Sequence, residues 1–142
     1  MKTSARNQFA GEIVNVMHGA VNDEVTLRAD SGLDIVAIVT HGSAVALDLR
    51  AGKRAYALIK ASSVILMTDA QGARVSARNC IAGTVSAVHA GAVNSEVVLS
   101  TPTGASIAAI ITNESVARLE LAAGKPASAL FKAPSVLLAV DD

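Results

Sequence analysis

Shifted by 72 positions, the chain falls on itself. Residues 4–67 lie over 76–139 without a gap, and 33 of the 64 positions are identical. Ser4-Ala5-Arg6-Asn7 meets Ser76-Ala77-Arg78-Asn79, Gly19-Ala20-Val21-Asn22 meets Gly91-Ala92-Val93-Asn94, and Ala51-Gly52-Lys53 meets Ala123-Gly124-Lys125. Agreement in this order is a duplication and not a compositional accident, and a repeat decides architecture before any local signal does. The chain is therefore expected to divide into a first domain at 1–68, a short polar linker at 69–75 and a second domain at 76–142. Positions that agree between the copies mark physics needed twice.

Within one copy, short apolar or alternating runs at 9–16, 25–28, 33–39, 55–59 and 64–67 are bounded by Gly, Asn, Asp and Ser, the pattern of strands. The wholly apolar run Ile35–Val39 predicts a strand buried on both faces. The segment 43–49 matches 115–121, which is rich in helix formers. A preceding Thr or Ser can cap it, and Gly52 and Gly124 lie just beyond it as candidate stops. Five strands with one short helix before the fourth make the expected class all-β: two OB-like five-stranded Greek-key barrels in tandem. A unit this small buries only about 60% of its unfolded surface, so the copies are expected to bury faces on each other and in further association.

Composition removes several function classes. Twelve basic residues balance 12 acidic ones, and the pI is about 6.8, unlike a nucleic-acid binder with a basic patch. Phe9, Tyr56 and Phe131 are the only aromatics, too few for the stacking platforms of a single-strand binder. No apolar run approaches the roughly 20 residues of a membrane span. The first residues carry a charge but no apolar segment of a secretory signal, and the single cysteine, Cys80, permits no internal disulfide. A cytoplasmic protein without nucleic-acid or membrane partners is expected.

Catalytic and metal chemistry find little support. His18, His41 and His89 face Ala90, Asn113 and Met17 in the other copy, so no histidine recurs. They read as solvent-facing loop residues, and no cation-ligand cluster is expected. Cys80 aligns with Gln8 and reads as a small buried apolar residue. Among the carboxylates Glu12, Asp23, Glu24 and Glu96 only the Glu24/Glu96 position recurs, so no acid–base pair is repeated and no enzyme is expected.

What recurs is a set of hydrogen-bond donors: Ser4, Arg6 and Asn7 with Ser76, Arg78 and Asn79; the turns at Gly19 and Gly91; Thr40 and Ser43 with Thr112 and Ser115; Lys60-Ala61-Ser62 with Lys132-Ala133-Pro134. Cations, hydroxyls and accessible backbone N–H groups suit a tetrahedral dianion. The same residues equally suit a hydrogen-bonded strand lead-in and a turn.

The succession Ser-Ala-Arg-Asn, Gly-Ala-Val-Asn-x-Glu-Val, Ile-Val-Thr or Ile-Ile-Thr with Ser three residues on, Leu-x-Leu-x-x-Gly-Lys and Lys-Ala-Ser resembles the Mop domain, and its double occurrence resembles the di-Mop molbindins of the ModG type. The resemblance implies an OB-like barrel, cytoplasmic binding of molybdate or tungstate for storage and molybdenum homeostasis, no catalytic cofactor, and assembly into homotrimers. It further implies one anion site between domains, with Ser4, Arg6 and Asn7 facing Lys60, Ala61 and Ser62 of a neighbour, and Ser76, Arg78 and Asn79 facing Lys132 and Ala133. A second site, toward the threefold axis, would draw on Gly19, Ala20, Val21, Thr40 and Ser43, and on Gly91, Ala92, Val93, Thr112 and Ser115. Pro134 stands where the first copy has Ser62, and it has neither N–H nor hydroxyl to donate. The alternatives are an oxyanion-responsive regulatory or transport accessory module, an OB-type nucleic-acid binder and a purely structural oligomer. The first would join a DNA-binding or ATPase part, of which this sequence carries neither a basic helix-turn-helix nor a P-loop.

Overall fold

The computed structural model describes residues 1–70 and 72–141. Gln71, in the expected linker, and Asp142, at the end of the expected second domain, lie outside the described residues. The first repeat carries β1 (Asn7–His18), β2 (Asn22–Ala29), β3 (Asp34–Thr40), α1 (His41–Ala46), β4 (Arg54–Ile59) and β5 (Ile65–Met67). The second carries β6 (Asn79–Ala90), β7 (Asn94–Ser100), β8 (Ser106–Thr112), α2 (Asn113–Arg118), β9 (Pro126–Phe131) and β10 (Leu137–Ala139). A 3-10 turn, Ala61–Ser63 or Ala133–Ser135, precedes the last strand of each. No helix among the described residues is long and apolar enough to cross a membrane.

The strands form two five-stranded antiparallel sheets, ordered β10-β4-β1-β2-β3 and β5-β9-β6-β7-β8. The last strand of each repeat thus pairs with the fourth strand of the other: Ile65–Met67 with Ser128–Leu130, and Leu137–Ala139 with Tyr56–Leu58. The expected division at 1–68 and 76–142 describes the repeat, whereas contacts group the chain otherwise. One compact unit is Met1–Lys60 with the chain from Lys132 onward, and the other is Ala61–Phe131. Buried Ala61 and Val64 belong to the second unit, where the 3-10 turn Ala61–Ser63 packs on β8, so the chain is delivered to β9 and not folded back onto β4. In each unit the exchanged strand also touches the far edge strand, β10 on β3 and β5 on β8, which curls the sheet toward the expected OB-like barrel.

Each unit has its own core at equivalent positions. Ile13, Val25, Leu27, Ile35, Ala37 and Ile59 are buried in the first, and Val85, Val97, Leu99, Ile107, Ala109 and Phe131 in the second. The long strands β1 and β6 pair first with β4 or β9, then with β2 or β7. A bulge at Val14, and at the equivalent Ser86, re-aims the strand between these partners. It also accounts for the imperfect alternation over 9–16. Gly11 lies at the crossover, where a Cβ would stand 2.1 Å from the Arg28 carbonyl oxygen.

Two local expectations need correction. The run Ile35–Val39 alternates buried with half-buried residues, so only one face is fully covered. Gly52 and Gly124 do not stop the helices. The C-caps are Leu47 and Leu119, and Asp48 and Glu120 take the left-handed conformation that follows, at φ of 52° and 53°. Gly52 and Gly124, at φ of 93° and 94°, turn the chain into β4 and β9. The lysine of the repeated Ala-Gly-Lys then reaches back to cap the helix, Lys53 Nζ donating to the Leu47 carbonyl (2.7 Å) and Lys125 Nζ to that of Leu119 (2.9 Å).

Candidate functional site

In the second unit, the 3-10 turn and β5 bring Ser62, Val64, Ile65 and Leu66 against the end of β8 and one side of α2. They enclose an open pocket of about 320 Å³ whose polar lining is Ser62, Thr112, Ser115 and Arg118. None of its lining residues is acidic, so an anion entering it meets no carboxylate in the wall. The strand exchange builds this pocket, because Ser62, Val64, Ile65 and Leu66 come from the first repeat and the other lining residues from the second.

The Thr-x-x-Ser motif supplies an oriented donor. Thr112 Oγ1 accepts from the Ser115 backbone N–H at 3.1 Å, capping α2, and its own proton goes to Ser115 Oγ at 2.9 Å. The Ser115 hydroxyl thus accepts from Thr112 and retains its own hydrogen as a donor. Thr40 and Ser43 make the same pair of bonds, at 3.1 and 2.9 Å. With six residues, α1 and α2 are each under two turns. The polar groups here are therefore individual donors and the Arg118 guanidinium.

The first unit places Thr40 at the end of β3 and Ser43 in α1, and β3 packs on the 3-10 turn Ala133–Ser135. Pro134 and Ala46 occupy the positions of Ser62 and Arg118. Of the four polar groups lining the second unit's pocket, this unit keeps only the threonine and the serine. Arg118 was missed by sequence reasoning because agreement between the copies was the filter, and Arg118 has no counterpart.

The remaining expected site residues fall into separate places. Ser4, Arg6, Ser76 and Arg78 are exposed ahead of β1 and β6. Asn7 and Asn79 are buried, 2% exposed, and the Asn7 amide donates to the Ile59 carbonyl at 3.2 Å. Lys60 and Lys132 are exposed just beyond β4 and β9, whereas Ala61 and Ala133 are buried. Ala20, Val21, Ala92 and Val93 are exposed in their turns. The Gly19 N–H is taken by Asp23 Oδ1 (3.1 Å) and the Gly91 N–H by the Asn94 carbonyl (2.8 Å). A Cβ would stand 2.3 Å from the Asn22 carbonyl at Gly19 and 2.6 Å from the Asn94 carbonyl at Gly91, a steric reason for the recurrence of these glycines.

Three residues treated as inert differ from expectation in part or whole. Cys80 is exposed, not buried. His18 and His41, expected to be solvent-facing loop residues, are exposed but stand at the end of β1 and the start of α1, and they converge on Asp23. His18 Nδ1 lies 2.9 Å from Asp23 Oδ2, and His41 Nδ1 lies 2.9 and 3.1 Å from its two oxygens. Asp23 is fully buried. Burial alone would raise its pKa, but the hydrogen bonds from His18, His41 and the Gly19 N–H outweigh burial and hold it below the usual carboxylate value. It is thus ionised at neutral pH and can only accept, which fixes Nδ1–H on both rings. The second unit has Ala90, Ser95 and Asn113 here: Ser95 Oγ donates to Asn113 Oδ1, and Asn113 Nδ2 to the Gly91 carbonyl (2.9 Å).

Comparison with known proteins agrees with this architecture. The model of the TOBE domain matches twice, at residues 3–66 and 75–138. The crystal structure of the cytoplasmic molybdate-binding protein ModG with molybdate bound superposes with a TM-score of 0.95 at 47% identity, over 99% of this chain and 100% of that one. The molybdenum transport protein ModE of Herbaspirillum seropedicae is 50% identical over 99% of this chain and 52% of its own length. The molybdenum-pterin-binding protein MopA of Rhodobacter capsulatus is 43% identical over 99% of this chain and 53% of its own. The chain thus spans about half the length of the curated relatives it matches.

Proposed function

The chain belongs to the TOBE-domain family, present twice in tandem, and we propose that it binds molybdate, or the similar tungstate, as a reversible store in the cytoplasm. The observation that carries the reading is the convergence of Ser62, Thr112, Ser115 and Arg118 on one pocket without an acidic residue in its lining. A tetrahedral dianion needs donors around its oxygens and positive charge to offset its own. Ser115 accepts from Thr112 and keeps its own hydroxyl hydrogen to donate. Ser62 adds a hydroxyl, and Arg118 adds the charge and a planar fork of N–H groups. The end-to-end likeness to a molybdate-binding protein supports the ligand class.

The mechanism is binding and release, with no bond made or broken in the ligand, so the protein acts as a buffer and not as an enzyme. The donors exposed ahead of β1 and β6, Ser4, Arg6, Ser76 and Arg78, with Lys60 and Lys132, are further anion contacts in a homotrimer, where a neighbour completes each site. A ligand held only by the assembled form stabilises that form by mass action. The regulatory reading is the weaker one, because the superposed ModG structure, at a TM-score of 0.95, is that of a molybdate-binding protein.

Isothermal titration with molybdate, against sulfate and phosphate, tests the reading. Saturable molybdate binding that tungstate displaces and sulfate does not is the expected result. Absence of heat with molybdate, or equal affinity for sulfate, would overturn it.

A further inference from the structure

We propose that His18, Asp23 and His41 form a binding site for a divalent transition-metal ion of the zinc class. The proposal is independent of the oxyanion reading. The three residues come from the end of β1, the start of β2 and the start of α1. Their candidate ligand atoms all lie within 4.8 Å of one another. Zinc bonds of about 2.0–2.2 Å put tetrahedral ligand atoms roughly 3.3–3.6 Å apart. The two Nδ1···Oδ2 edges of 2.9 Å therefore need to open by a few tenths of an ångström.

The rings have room for that adjustment. The His18 and His41 side chains are 63% and 49% exposed, whereas Asp23 is 0% exposed and fixed. An ion would sit on the solvent side of the carboxylate, between the two rings. Water would complete its coordination, as at sites with three protein ligands. Each ring would bind through Nδ1 after its proton moves to Nε2, an exchange that solvent mediates at exposed rings. Imidazole nitrogen with one carboxylate favours zinc, cobalt or nickel over the hard cations magnesium and calcium.

The second unit argues against a merely structural role. There Ser95 and Asn113 tie the same segments together with neutral groups. Joining the β2 start to α1 thus requires neither a buried carboxylate nor two imidazoles. A buried charge is costly unless fully partnered, so the first unit carries more ligating chemistry than the tie demands.

The test is titration of the untagged full-length protein at neutral pH with Zn²⁺ alone, and with Co²⁺ followed by its visible absorption. One tight equivalent per chain with ligand-field bands is expected. His18→Asn with His41→Asn should abolish both signals. So should Asp23→Ser with His41→Asn, which installs the second unit's own pair and so keeps a tie known to fit this fold. The converse graft, Ala90→His, Ser95→Asp and Asn113→His, should add a second equivalent. No Co²⁺ bands in the wild-type protein, or bands that persist in both loss variants, would overturn the proposal, the latter result assigning the metal to other groups.

Discussion

Leu66, near the end of the first repeat, sits in register opposite Ala129 in the second, and Leu138 sits opposite Ala57 in the same relation. Each unit therefore receives its fifth strand from the other repeat. A fragment of residues 1–68 would retain β5 without β9 to receive it, and β4 without β10. It is expected to self-associate by pairing the β5 of one copy with the β4 of another, a relation of the kind seen in domain swapping. Light scattering after size exclusion should show a dimer or a multiple of one. A folded monomer would show that β5 can turn back onto its own β4.

Arg118 supplies the only charge lining the second unit's pocket. Hydrogen bonds to charged groups contribute about 1.5–3 kcal/mol, which corresponds to roughly 10- to 100-fold in affinity. Arg118→Ala should weaken molybdate binding at one class of site by that factor and leave the other class unchanged. Ser62→Pro should act in the same direction. Pro134→Ser, which restores a hydroxyl to the first unit, should tighten the weaker class. Two-site calorimetry separates these effects, and identical isotherms for wild type and Arg118→Ala would remove the pocket from the binding function.

Gly11 and Gly83 are repeated because of a close approach in the sheet. A Cβ would stand 2.1 Å from the Arg28 carbonyl oxygen at the first and 2.4 Å from that of Ser100 at the second. The obstructing atoms are backbone and cannot rotate away. Overpacking typically costs about 1–3 kcal/mol, so Gly11→Ala and Gly83→Ala should each lower the thermal midpoint by several degrees. Alanine at the exposed Gly42, where a Cβ meets nothing within 4 Å, is the control and should leave the midpoint nearly unchanged.

Asp23 links stability to pH. Its carboxyl titrates below the ordinary value of 3.8, held there by His18, His41 and the Gly19 N–H against the effect of burial. The unfolded chain thus takes up the proton first. The associated stability is complete above the ordinary value and is lost as pH falls through the depressed folded value. Thermal melts of the chelator-treated protein from about pH 6 downward should show this loss in the wild type. The variant Asp23→Ser with His41→Asn should be less sensitive to acid. Equal acid sensitivity in the two proteins would show that other carboxylates, such as Asp30 and Asp34 beside Arg54 and Arg28, dominate.

By itself the sequence determined the duplication, the ten strands, the short helix before each fourth strand and the Thr-x-x-Ser caps. These follow from short-range physics: side-chain periodicity, turn residues and a hydroxyl three residues from an N–H. The helix stops were misread at Gly52 and Gly124 because Asp48 and Glu120 can take the left-handed position and a lysine beyond the turn caps the carbonyl. Only the tertiary structure decided which repeat each last strand joins. The partners Ala57 and Ala129 are the same residue at equivalent positions, so strand pattern alone is indifferent between them. Tertiary structure likewise brought Ser62 and Arg118 to one pocket, and His18 and His41 onto Asp23, across 56, 5 and 18 residues of chain and with no counterpart in the other copy. Agreement between repeats finds what both units need. What makes the two units differ arises from unrepeated side chains that the fold draws together, and so it is legible only in three dimensions.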